Sequence, residues 1–471
     1  MALALLPACT AVGPDYQPPQ TPMPKSFRHA PGSARAADEA ALLKWWEVFN
    51  DPLLSRLVQR AVAGNLDLKS AYARVKEARH LLGVALGTVM PAVDGSGQAV
   101  RQRTSENSGL PGGGAVGNSF SLQMDASWEI DLFGRIRRTV EAARADFQAS
   151  REDQRGVLVS LYAEVARVYL QVRTAQVRLA TTRENIASQK KVLSLTRARF
   201  KNGLASALDV SQAQEVLAGT EAQVPPLRID LAKNLSALAV LLGLPPGSLD
   251  QEFQTVRPIE VPRQIVTLGV PADLLRRRPD IRAAERRVAS QSARVGVATA
   301  DLYPSFTLFG TIGLSAASSG DLFQSGSRIF TLGSGFSWKL FQGGAVRSQI
   351  KAEDARLEQA LLSYRQAVLG ALREVENALV SFDQLQKQAA ILRRAAAAAR
   401  RTLKLSVDLY KEGLADFQRV LDAQRTLFEN GDQLVQAQGN AAGALVSLYK
   451  ALGGGWRLAP PKPGPGKSPG Q

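Results

Sequence analysis

The stretch NSFSLQMDASWEIDLFG, residues 118–134, decides the fold. Phe120, Leu122, Met124, Ala126, Trp128, Ile130 and Leu132 share one parity. Ser119, Ser121, Gln123, Asp125, Ser127, Glu129 and Asp131 share the other. Side chains on a strand alternate between two faces, so this pattern predicts a strand with one oily and one wet face. After Phe133-Gly134 the period changes. From Arg135 to Lys201 there is no Pro and a single Gly, Gly156. That tract predicts one helix of roughly 65 residues, about 100 Å long. Helices in compact domains average about 11–12 residues, so the pairing is unlike an ordinary enzyme's.

The flanking chain follows suit. Residues 10–52 are rich in Pro and Ala at first and are expected to be extended, closing on Trp45-Trp46 and a helix start at Asp51-Pro52. Helical pattern runs from Leu53 to Ala63 and from Asp67 to about Thr88, and Pro91 stops it. A weaker strand is expected at about 92–103, a Gly/Ser/Asn loop next, then the strong strand at about 118–132 and the long helix at about 135–201. Lys201-Asn202-Gly203 reads as a helix-ending turn. A return helix is expected at about 206–242, kinked at Pro225-Pro226. Residues 244–270 form a connector. A short helix at Pro271–Leu275 and a longer one from Pro279-Asp280 to about Leu302 precede strands at about 305–315 and 328–341, a second long helix at about 345–412 and a return helix at about 416–452. Phe309 interrupts the polar row of its strand. The tail, 457–471, is disordered by composition.

The second half replays the first, residues 53–243 against 271–456. Arg199-Phe200-Lys201-Asn202-Gly203-Leu204-Ala205 aligns with Leu409-Tyr410-Lys411-Glu412-Gly413-Leu414-Ala415, and Ser127-Trp128 with Ser337-Trp338. Each repeat supplies two strands, so one chain supplies four. Four strands do not close, and an open edge in lipid leaves N–H and C=O groups unpaired. Two copies give a barrel filled by its own side chains; three give twelve strands, wide enough for water. No segment reaches the run of about 18 apolar residues that a spanning helix needs. The predicted fold is an α+β membrane protein: a trimeric twelve-stranded β-barrel continuous with a long α-helical barrel.

The net charge is +16, from 58 basic and 42 acidic residues. The basic residues are interleaved with acidic ones in helical tracts and match no nucleic-acid motif, so nucleic acid is not an expected partner. Cys9 is the single cysteine, which excludes an intrachain disulfide. Leu3, Leu5, Leu6 and then Pro7-Ala8-Cys9 resemble a lipoprotein cleavage box, with Pro7 a departure from it. Residues 1–9 are therefore expected to be the end of a signal peptide, with Cys9 lipidated. Thr10 in place of Asp resembles lipoproteins sorted to the outer membrane.

A wider resemblance rests on Trp45-Trp46 with Phe49-Asn50-Asp51-Pro52-Leu53, on Trp128-Glu129-Ile130-Asp131-Leu132-Phe133-Gly134, on Arg277-Arg278-Pro279-Asp280-Ile281 and on Leu421-Asp422-Ala423-Gln424-Arg425. Tyr449 to Trp456 completes it. From about Cys9 to Trp456 the chain resembles the outer-membrane factor family, the TolC-like channels, and within it the efflux lipoproteins of the OprM and NodT type. The resemblance implies a homotrimer in outer-membrane lipid, a periplasmic adaptor (membrane fusion protein) docked at the turns, and an inner-membrane pump behind it. It implies a periplasmic gate at Tyr410 and Asp422. Asp209 is a comparable residue on the first hairpin. The family's closing arginine is Ala415 here, and a second aperture aspartate is Arg419, placed three residues before Asp422 where an ion pair is allowed. Gly203, Leu204, Gly413 and Leu414 would form the adaptor-docking tip, and Trp128 and Trp338 the membrane-interface aromatics. Without the resemblance Tyr410 reads as a packed helix residue, Asp422 and Asp209 as solvated ones, and the tryptophans as core.

Catalytic, cofactor and metal signals are absent from the sequence. His29 and His80 have no metal spacing. Gly112 to Gly117 has the spacing of a dinucleotide loop but precedes a strand, and Gly466-Lys467-Ser468 lacks the first phosphate-loop glycine, with Pro461 in its place. The expected function is a passive outer-membrane exit duct of a tripartite efflux system. The alternatives are the duct of a type I protein secretion system, or a soluble coiled-coil scaffold whose strands are linkers.

Overall fold

A computed structural model describes residues 11–29, 42–108, 114–262 and 272–456. Cys9, part of the connector and the tail 457–471 lie outside the described residues. The helices are α1 (Pro52–Gly64), α2 (Leu66–Gly87), α3 (Arg135–Lys201), α4 (Ala207–Glu221), α5 (Val224–Leu241), α6 (Asp273–Arg277), α7 (Pro279–Ala300), α8 (Ala345–Glu412) and α9 (Phe417–Ala451). The strands are β1 (Ala92–Arg103), β2 (Val116–Ile130), β3 (Ser305–Ala316) and β4 (Arg328–Ser337). Two compact units emerge. One gathers residues up to Thr21, Ala73–Arg151 and Ala283–Arg365; the other gathers Pro22–Tyr72, Glu152–Arg282 and Gln366 onward.

The first unit holds the sheet. Its four strands are antiparallel in the order β1-β2-β3-β4, so β1 and β4 are free edges in a single chain. Register aligns the parities across all four. Val93, Ala126, Gly310 and Leu332 form one row of the oily face; Asp94, Asp125, Thr311 and Thr331 form a row of the wet face. Phe330 and Leu332 are 85% and 86% exposed on the oily face. That much bare apolar surface on one side of a sheet calls for a nonaqueous neighbour. Phe309, the exception in the wet row, lies over Gly333, where a Cβ would come within 2.7 Å of its ring. The glycine makes room for the phenyl group on the neighbouring strand.

Two strand bounds differ from the sequence reading. β2 spans 116–130 rather than 118–132, because Asp131 leaves the ladder to cap α3: its carboxylate accepts from the N–H groups of Ile136 and Arg137 at 3.0 and 2.8 Å. β4 stops at Ser337 rather than about 341. Its partner β3 begins at Ser305, and Pro304 before it has no N–H to donate. Trp338 turns instead to α7's exit, donating its indole N–H to the Leu302 carbonyl at 2.9 Å. Trp128 makes the repeat-related bond to Val89 at 3.0 Å. The N-terminal segment packs in this unit. Val12 N–H donates to Phe133 O at 3.0 Å, buried Arg138 reaches Asp15 at 2.7 Å, and a Cβ on Gly13 would sit 2.4 Å from the Gly296 Cα.

The second unit is helical. α3 buries Val165, Val168, Tyr169 and Val172, one face at i, i+3, i+4 and i+7. α8 does the same with Val368, Ala371, Val375, Ala378, Leu379 and Phe382. Residues 10–52 are not extended throughout, as the sequence reading had them. Trp45–Phe49 is a 3-10 turn that Asn50 ends in the left-handed region, φ 50°. The turn buries its aromatics: Trp45 stacks on Tyr449 at 5.3 Å and Trp46 meets Tyr162 at 4.8 Å. Asp51 then caps α1 at Leu53 N–H (3.0 Å) and accepts the Tyr169 hydroxyl. Burial, reinforced by that carboxylate, pushes the Tyr169 hydroxyl above its ordinary pKa. The return segment 206–242 is two helices rather than one kinked helix. α4 ends at Glu221 and α5 starts at Val224 with proline in its first turn, where the missing N–H costs nothing.

Candidate functional site

The two turns that end the long helices share one design. At the first, Gly203 has φ 73°, Gly203 N–H donates to Phe200 O at 3.0 Å and Leu204 N–H to Arg199 O at 2.9 Å. At the second, Gly413 has φ 75°, with the matching bonds from Gly413 to Tyr410 at 3.2 Å and from Leu414 to Leu409 at 2.9 Å. Both are left-handed caps that satisfy the last helical carbonyls, and a Cβ there would be strained. Leu204 and Leu414 are exposed.

The return helices start differently. In the first, Ser206 and Asp209 form a reciprocal capping box at 3.1 and 3.0 Å. In the second, Asp416 caps the Arg419 N–H at 3.3 Å, and the Arg419 guanidinium lies 3.8 Å from the same carboxylate. Asp209 and Arg419 therefore occupy the same position of the repeat. The Arg419–Asp422 pair that the spacing allows does not form. Asp416 competes for the cation because it already faces the helix start. Asp422 is exposed and accepts from Gln418 at 3.1 Å.

Tyr410 is buried in a cluster with Val192, Leu193, Leu403, Phe417 and Val420, its ring 5.3 Å from that of Phe417. Its hydroxyl has no partner among the described residues. Arg199, from the other hairpin, lies over the Tyr410 ring at 4.8 Å and donates to the Lys411 carbonyl at 2.7 Å. It ties one long helix to the other beside both turns. The sequence reading missed it. The signal was there: at this point of the matched turn motifs the first repeat has Arg199 and the second has Leu409, an unequal pair. Behind the turns a groove of about 810 Å³ has Val192, Leu195, Leu403, Val407 and Leu427 among its apolar lining and Arg400 and Lys404 among its charged lining.

In the sheet unit, Trp128 and Trp338 sit where the strands meet the helices, their indole N–H groups held by the chain. Farther along, Asp94 and Asp125 face each other across the wet side of β1 and β2. Asp125 is held by Thr311 at 2.6 Å and Gln123 at 3.1 Å.

Comparison with known proteins agrees with this geometry. The outer membrane efflux protein family matches residues 57–244 and 270–454. The pyoverdine export outer membrane protein OpmQ of Pseudomonas putida is 33% identical over 94% of this chain and 95% of its own. Nodulation protein T of Rhizobium leguminosarum bv. trifolii is 30% identical over 96% of each. The solved structure of the outer-membrane channel OprN superposes with a TM-score of 0.87 at 36% identity, over 94% of this chain and 99% of that one. The fold, with its two-faced sheet and paired long helices, is that of a TolC-like outer-membrane channel. The chain belongs to the outer membrane efflux protein family. Members of the family are channel proteins rather than enzymes.

Proposed function

We infer that three copies of this chain close into one twelve-stranded barrel and serve as the passive exit duct of a tripartite efflux system. The observation that carries this is the sheet with an oily face and two unpaired edges. β1 and β4 have 12 and 10 residues. About half of the residues on each edge aim their N–H and C=O outward. In lipid each such group costs several kcal/mol, so an open edge costs tens of kcal/mol and closure through copies removes it. Three copies rather than two keep Asp94 and Asp125 in water, where facing carboxylates are tolerated.

The turns are the adaptor-docking tip, with exposed Leu204 and Leu414 offering apolar contact beside Gly203 and Gly413. The periplasmic gate is the Tyr410 cluster with its Arg199 tie, and threefold symmetry brings copies of Asp422 together; Asp209 and Arg419 contribute through the return-helix starts. Behind the adaptor stands an inner-membrane pump that delivers drugs or other small molecules. The relatives' names, with their pyoverdine export, support small-molecule efflux over protein secretion. Cys9 carries the lipid anchor. The test is accumulation of fluorescent efflux substrates in a deletion strain and its complement. Restored efflux supports the duct; unchanged accumulation with loss of a secreted protein contradicts it.

A further inference from the structure

The oily face of the sheet carries charge at one end only. Among its strand residues the charged ones are Arg101, Arg103 and Arg328, all at the end that leads into the loops rather than into the helices. No acidic residue shares that face. Arg103 is engaged by Glu106 at 2.7 Å. Arg101 and Arg328 are exposed and have no acidic partner among the described residues. At the helix end the cations are paired: Arg135 with Glu129, Arg137 with Asp131 and Lys339 with Asp301. The asymmetry is specific to the loop end.

Height agrees with charge. Eight residues separate Val93 from Arg101 on β1, and eight separate Arg328 from Phe336 on β4. At about 3.3 Å per residue and a tilt of about 35–45°, each arginine Cα stands roughly 19–22 Å above the first outward residue of its strand. A long side chain that reaches upward adds about 6 Å, which puts the guanidinium at the top of an apolar band about 25 Å tall. A guanidinium at that boundary, with no carboxylate beside it, is matched by phosphate, which it binds through a planar fork.

We propose that Arg101 and Arg328 form a rim site for phosphate-bearing lipid headgroups in the leaflet on the loop side of the membrane. They lie on the two edge strands, so closure of the barrel repeats both around its circumference. The inference rests on the duct reading, because the oily face must meet lipid.

The test uses the purified full-length protein in detergent, with a disaccharide lipid carrying two phosphates, the same lipid without them, and inorganic phosphate as competitor. Lipid retention is read by native mass spectrometry. Wild type is expected to retain the phosphorylated lipid and not its counterpart. Arg101→Gln and Arg328→Gln should each lower retention about five-fold, and the double variant multiplicatively. Arg103→Gln should change it less than about two-fold, because Glu106 already occupies that cation. Arg101→Lys and Arg328→Lys keep the charge and should retain more than the glutamine forms. Equal retention by wild type and double variant overturns the site, as does equal binding of both lipids. Displacement by millimolar inorganic phosphate overturns the lipid assignment. Heat-modifiable migration, scored on every sample, reports the barrel itself, so failure of the duct reading is seen separately from failure of the rim site.

Discussion

Replacing Arg199 by alanine tests the proposed gate most sharply. The side chain makes two contacts across the hairpins. Its bond to the Lys411 carbonyl, 2.7 Å, is charge-assisted and contributes about 1.5–3 kcal/mol. Its position over the Tyr410 ring, 4.8 Å, contributes about 0.5–1 kcal/mol at a site that solvent reaches. Holding a long side chain in one rotamer costs up to about 2 kcal/mol. After the full rotamer cost the midpoint of the net tie is about 1 kcal/mol per chain. If three chains open together, the closed arrangement loses about 3 kcal/mol, a shift of about 10² in the closed-to-open ratio. The assay is single-channel recording in planar bilayers. Arg199→Ala should lengthen open dwell times and raise the open fraction, with intact oligomer on gels. Arg199→Lys, which loses the planar fork, should fall between. Alanine traces that match wild type at equal oligomer content would refute the reasoning.

Tyr410→Phe should leave gating and melting temperature unchanged or raise the latter slightly, because the lost hydroxyl is buried without a partner; a clear fall in melting temperature speaks against this packing. The segment at His29 is expected to loosen in acid. Burial raises the Glu376 carboxyl, but the His29 ring at 2.8 Å and the Arg28 and His29 N–H groups outweigh it and hold the pKa below the ordinary 4.5. These bonds add stability that is present above pH 4.5 and is lost as pH falls through the depressed folded value. Hydrogen exchange of residues 27–29 should accelerate over that window in wild type, and Glu376→Gln should remove the pH dependence. Asp94→Asn with Asp125→Asn should lower cation preference, read as a smaller reversal potential in a salt gradient. An unchanged potential means that row does not line the conduit.

Much of the architecture could be read from local rules. Alternation from Ser119 to Ile130 marks β2 because a half-lipid, half-water sheet writes its period directly into the chain. The Pro-free tracts gave α3 and α8 at their observed bounds, and Gly203 and Gly413 marked the turns. What escaped was decided by contacts distant in sequence. The end of β4 depends on where β3 begins, and the 3-10 turn at Trp45 depends on Tyr449 and Tyr162. The Arg199 tie depends on two hairpins being side by side, which no window around residue 199 contains. Asp422 illustrates the converse: the motif named it, while its exposed setting in one chain leaves its role to the assembled oligomer.

The number of chains in the detergent-solubilised particle bears on all of this at once. Native mass spectrometry of the intact protein should count three, and a three-fold particle should keep that count until heat opens it. A lone chain, stable and monodisperse in buffer without detergent, would contradict it.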